Sequence, residues 1–165
     1  MVRQVHIIGG VATAVILEKI AGFNEKSLRH LKYYAKNVHD LHIAGLIFML
    51  CVAGAVFPDI DGFMARLLNA GKGKFYSHRG TLHSLGFILL VSILVVLYGK
   101  LYYLAFSAGL LTHWIIDCFT MSGVPYGIGY YPRVSLRIMT KKNVLFQYAA
   151  GVLYLIMAVF VFVKL

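Results

Sequence analysis

The sequence predicts an all-α fold: a polytopic transmembrane helical bundle of about five spans, forming a single membrane domain over residues 1–165. Three observations lead there. Of the 165 residues, 60% are hydrophobic and only 13% charged, with a mean hydropathy of +0.78. A soluble domain carries about 25% charged residues and roughly 45–50% apolar ones. The apolar residues are gathered into runs near the length a bilayer requires, about 20 residues. Finally, the few acids and histidines that lipid would exclude stand at the ends of those runs.

The runs can be taken in order. Residues 5–23 form the weakest, with Glu18 and Lys19 near the far end and small residues (Gly9, Gly10, Ala12, Ala14) suited to close helix packing. Residues 24–40 alternate Leu28, Leu31, Ala35 and Val38 with Lys and Arg, the pattern of a basic amphipathic helix on a membrane surface. Residues 41–57 form the next span, which Pro58 ends because proline cannot continue a helical hydrogen-bond ladder. Residues 84–98 and 101–119 follow, and 144–163, free of charge and bracketed by lysines, is the cleanest. If the first run is interfacial, the count falls to four spans. Two loops remain, 59–82 and 120–143. Cys51 and Cys118 lie inside apolar runs and suggest neither a disulfide framework nor a thiolate metal site.

Sixteen Lys and Arg stand against six Asp and Glu, a formal net charge of +10. In a polytopic chain such residues crowd the loops and meet anionic headgroups, so no nucleic-acid partner is expected.

Threading the chain through five spans brings particular residues to one membrane face. His6 opens the first span. Asp59 and Asp61 follow the second, His78 and His83 precede the third, and His113 with Asp117 stand near the exit of the fourth. His113 and Asp117 are also i and i+4, on one face of a helix. Ionisable residues within spans mark functional sites by default, and imidazole with carboxylate suits Zn, Mn or Fe. The expected metal ligands are therefore His6, Asp59, Asp61, His78, His83, His113 and Asp117. Seven donors suit two divalent ions, with Zn first among the candidates, bridged by an aspartate. His30, His39 and His42 fall on the other side and read as interface residues.

The segments Phe57-Pro58-Asp59-Ile60-Asp61, Ser77-His78-Arg79-Gly80-Thr81-Leu82-His83-Ser84, His113-Trp114-Ile115-Ile116-Asp117-Cys118-Phe119-Thr120 and Gly123-Val124-Pro125 carry a resemblance. Their order and spacing resemble the YdjM-like family of bacterial and archaeal inner-membrane proteins, assigned by inference to metal-dependent hydrolysis. The ligand pattern is also similar to that of zinc-dependent phospholipases C. One departure is Leu82, which stands where the family carries threonine, with Thr81 before it. The resemblance implies a multi-pass protein of the cell inner membrane and a hydrolytic activity.

A metal ion delivers hydroxide at neutral pH, and two ions can clamp an in-line displacement at phosphorus. Arg79, between His78 and His83, is positioned to hold a phosphate oxygen, as are Arg133 and Arg137. With Asp61, these arginines form the expected catalytic set. The expected substrate is a membrane phospholipid or lipid-linked phosphate, cleaved at a phosphoester. A non-catalytic metal protein, whether structural, transporting or regulatory, is the competing class.

Overall fold

The structure, a computed structural model, describes residues 3–23, 40–62, 79–97, 101–128, 132–140 and 142–164. Five α-helices dominate: α1 Arg3–Phe23, α2 Asp40–Val56, α3 Leu85–Leu97, α4 Leu101–Cys118 and α5 Val144–Lys164. These are the expected apolar runs, with ends within a residue or two. The amphipathic segment expected over 24–40 lies outside the described residues apart from Asp40, which opens α2.

Local chemistry explains the ends nearest the site. Pro58 sits in a 3-10 turn, Phe57–Asp59, that closes α2 and turns the chain at Asp59 and Asp61. A second 3-10 turn, Thr81–His83, leads into Ser84, which caps α3: its Oγ accepts from the Phe87 amide at 3.2 Å.

The bundle centres on α2 packed against α4, with α1 against both and α5 against α1. Glycine makes this possible. A Cβ at Gly54 would fall onto the Phe106 carbonyl oxygen, and one at Gly109 onto that of Cys51, so α2 and α4 touch through their backbones. The Cys51 thiol donates to the Ala105 carbonyl at 3.1 Å in the same seam. Hydroxyls tie α1 to its neighbours: Thr13 Oγ1 lies 2.7 Å from Thr112 Oγ1 and 3.3 Å from Tyr154 Oη.

The polarity runs opposite to that of a soluble protein. His6, Asp61, Arg79, His83, His113 and Asp117 are buried, while Met49, Leu89, Leu97, Ile156 and Phe160 face outward. Among the described residues, two stretches are long and apolar enough to cross a membrane, Gly45–Gly62 and Val144–Val161. Only 28% and 17% of their residues are buried, where the core helix of a soluble protein would be mostly enclosed.

The expected five spans are not reached on this measure. The thirteen residues of α3 extend about 20 Å, short of the roughly 30 Å hydrocarbon layer. Charged Arg3, Glu18 and Lys19 in α1, and His113 with Asp117 in α4, lower the apolarity of both helices.

Within the expected loop 120–143 the described residues include regular pairing. Val124–Pro125 and Arg133–Val134 pair antiparallel, and Thr120 bridges Met139. Gly123, at φ +60°, permits the turn; a Cβ there would meet the Val134 carbonyl. The Trp114 indole donates to the Pro125 carbonyl at 3.2 Å, fastening this hairpin to α4.

Candidate metal centre

Four helices deliver their ends to one point. α1 begins there with His6, α2 runs into Asp59 and Asp61, α3 starts just after His83, and α4 approaches its end with His113 and Asp117. Of the seven expected ligands, these six are brought together; His78 lies outside the described residues.

Asp117 is the hub. Its Oδ1 lies 3.5 Å from His6 Nε2, and its Oδ2 lies 3.7 Å from His113 Nε2 and 3.8 Å from His83 Nε2. Asp59 Oδ1 is 3.8 Å from His83 Nε2. The His6 and His113 rings stack, 3.9 Å apart and 13° from parallel, and the His83 ring meets His113 edge-on at 4.8 Å. His6, His113 and Asp117 form one cluster of potential ligand atoms, all within 4.8 Å of one another; Asp59, His83 and His113 form another.

The hydrogen bonds sort these side chains into two layers. His113 Nδ1 donates to the Ala55 carbonyl at 2.7 Å, which leaves its lone pair on Nε2. His83 Nδ1 donates to Asp61 Oδ2 at 2.8 Å, and the Arg79 and Gly80 amides donate to the same oxygen at 2.9 and 3.3 Å. Metal-ligating histidines almost always give their second ring N–H to a carboxylate or carbonyl. Asp61, expected as a ligand and a catalytic group, thus stands behind His83 as its orienting carboxylate. The turn after Pro58 sends Asp59 and Asp61 different ways.

Arg79 also differs from the expectation. Its guanidinium is buried and occupied: Nη2 donates to Asp117 Oδ1 at 3.1 Å, and Nη1 to Thr120 Oγ1 at 2.6 Å and the Gly123 carbonyl at 3.4 Å. It supports Asp117 instead of reaching towards a substrate. Its backbone, at φ +66°, adopts the left-handed region, uncommon for a residue with a Cβ. That conformation presents its own amide to Asp61 while the side chain turns to Asp117. Arg133 is half-buried and donates from Nη2 to the Gly123 carbonyl at 3.1 Å and the Arg79 carbonyl at 3.5 Å. Arg137 is exposed, and among the described residues no hydrogen bond joins it to the cluster.

Two supporting groups escaped the sequence reading. Thr120 receives Arg79 and donates to the Asp117 carbonyl at 2.7 Å; its place three residues after Asp117 was the available signal. The Ala55 carbonyl had none, since no side chain announces it.

The electrostatics favour a cation. Among the described residues, three carboxylates (Asp59, Asp61, Asp117) gather around the buried Arg79 guanidinium, so negative charge exceeds positive before Arg133 and the histidine protons are counted. Burial lowers the pKa of His83, but Asp59 and Asp61 raise it more, and it lies above the ordinary imidazole value. His6 Nδ1 and His113 Nε2 are buried without a hydrogen-bond partner among the described residues. Such nitrogens are costly unless something coordinates them. A tetrahedral ion with bonds near 2.0–2.1 Å spans ligand pairs of roughly 3.4 Å, close to the 3.5–3.8 Å separations around Asp117. The donor set therefore fits a divalent metal.

A family model described as YdjM inner membrane protein matches residues 1–165, the whole chain. The chain belongs to the YdjM family. Membership and the two membrane-capable helices together make it a membrane protein. No curated protein and no solved structure matches it.

Proposed function

We propose that this YdjM-family chain is a multi-pass inner-membrane hydrolase that uses divalent metal to cleave a phosphoester of a membrane lipid or lipid-linked phosphate. The observation that carries the reading is the pair of histidines locked at Nδ1, His83 by Asp61 and His113 by Ala55, with both Nε2 atoms turned to the Asp117 carboxylate. A multi-pass arrangement is supported by alternation: the first four helices begin, end, begin and end at the site, as successive passages through a bilayer would.

Each locked imidazole can serve one ion. Asp59, His83, His113 and Oδ2 of Asp117 supply four ligands for a first ion; His6 and Oδ1 of Asp117 begin a second. Zn fits this donor set best, with Mn or Fe next. A bound divalent ion supplies Lewis acidity and hydroxide at neutral pH. The protein contributes the rest. Arg79 holds Asp117, Asp61 holds His83, and Asp59, whose side chain is 17% exposed, lies at the accessible side of the cluster. Arg133, beside the Arg79 carbonyl, supplies a guanidinium for a phosphate oxygen.

The burial of His83, His113 and Asp117 favours a second reading, a closed structural centre. Elemental mass spectrometry of detergent-purified protein, followed by release of phosphate or phosphorylated headgroup from phospholipid vesicles, separates the two. Stoichiometric metal with release that stops in His83→Ala supports the hydrolase. Metal without release, together with chelator-induced unfolding, supports the structural centre. A folded, chelator-free preparation lacking metal overturns both.

A further inference from the structure

Beside the metal centre lies a cavity of about 460 Å³ between α1, α4, α5 and the segment carrying Met139. Its walls alternate with the centre along the chain: Val5 precedes His6, Thr112 precedes His113, and Ile116 precedes Asp117. From Phe119, just past the end of α4, to Thr112 it follows seven residues of chain, about 10 Å at helical rise. Among the described residues, the lining is apolar apart from the hydroxyls of Thr112 and Tyr154, with no charged side chain. Thr112 gives its proton to the Ala108 carbonyl, and Tyr154 lies against Thr13, so the hydroxyls already have partners within the protein.

Two observations identify the occupant. Ile115 lines the cavity and is also 45% exposed, so the space reaches the outer surface in the last turn of α4, close to the metal centre. Large apolar side chains are exposed on each of the three helices that wall the cavity, Ile7 on α1, Leu111 on α4 and Val152 with Leu153 on α5, the kind of surface a bilayer would cover. A methylene group takes about the volume of a water, roughly 30 Å³, so the cavity accommodates a single hydrocarbon chain and little else.

We infer that this cavity is the acyl-chain site of a membrane lipid, which enters past Ile115 and brings its headgroup phosphate to the metal centre. The inference rests on the proposed lipid substrate and deepens it: the lipid is anchored by one chain beside α1, α4 and α5, and chain length becomes a determinant of recognition. The polar end of the same lipid meets Arg133 and the cation-seeking cluster, so one molecule satisfies both the apolar and the charged features.

The test uses full-length protein in micelles with a phosphatidyl lipid carrying a photoreactive diazirine on its acyl chain, the labelled peptides being mapped by mass spectrometry. Labelling is expected to concentrate on Val5, Ile115, Ile116, Ala150 and Tyr154. It should fall roughly tenfold when Ala150→Phe fills the cavity or Ile115→Trp blocks its entrance, since a packed space does not admit added volume. Metal content should stay at the parent level in Ile115→Trp, whose outward-facing position leaves the fold intact. Label spread evenly over Leu89, Ile93 and Phe160, and unchanged in Ile115→Trp, overturns the inference. Specific labelling without any hydrolysis would support the chain site while removing the hydrolase, so the two failures are distinguishable.

Discussion

The bundle contains two buried polar clusters of opposite character. One is neutral: Thr13, Thr112 and Tyr154 share hydroxyl hydrogen bonds in the interior, with backbone carbonyls four residues before each threonine as further acceptors within reach. The other is ionic, at the helix ends, where Asp117 gathers three histidines and an arginine, yet His6 Nδ1 and His113 Nε2 have no hydrogen-bond partner among the described residues. A cluster that satisfies itself joins helices. One that stays incomplete is built to hold something else, because a buried polar atom without a partner costs about 1–3 kcal/mol.

The comparison can be broken by substitution. The largest effect is expected from Asp117→Ala, which removes the hub and should weaken metal binding more than about 100-fold, beyond what a supporting residue costs; metal titration followed by Mn(II) paramagnetic resonance would read it. Retention of parent affinity there would falsify the ionic cluster as a metal centre. Asp61→Asn comes next. A neutral amide oxygen holds the same three N–H groups more weakly than a carboxylate, so His83 is less firmly oriented and affinity should drop about 10–100-fold. Arg79→Gln should cost about tenfold, at the low end of that range, with the Co(II) absorption spectrum altered because Asp117 is no longer pinned; an unaltered spectrum and affinity would return Arg79 to the role of a substrate clamp. The smallest effect belongs to the neutral cluster. Thr112→Val should lower stability by about 0.6 kcal/mol, the mean for an interhelical hydrogen bond in a membrane, and leave metal affinity unchanged. If metal were lost in that variant, the two clusters would not be independent.

Much of the ionic cluster was legible along the chain. Counting crossings places His6, Asp59, Asp61, His83, His113 and Asp117 at one end, and these six do meet. The roles within the cluster were not legible. Asp59 and Asp61 are two residues apart with the same side chain, and only the 3-10 turn at Pro58 makes one of them a neighbour of His83 Nε2 and the other of Nδ1. Arg79 sits in a basic, glycine-bearing motif that reads as a phosphate contact. Its acceptors, Asp117, Thr120 and Gly123, are 38 to 44 residues away, so its inward turn is invisible until the chain is folded. The neutral cluster was hidden for the same reason, since Thr13 and Thr112 are 99 residues apart.

Hydropathy and helical spacing are local properties, and the sequence by itself determined what depends on them: the helical class, the ends of the five helices, membrane residence, and the end of the bundle to which the ionisable residues belong. The tertiary structure decided everything that depends on which distant group a side chain meets. Backbone contact at Gly54 and Gly109 sets how closely α2 and α4 approach, and that approach brings the Ala55 carbonyl onto His113. A polar side chain takes its role from its partners, and here those partners come from helices remote in sequence.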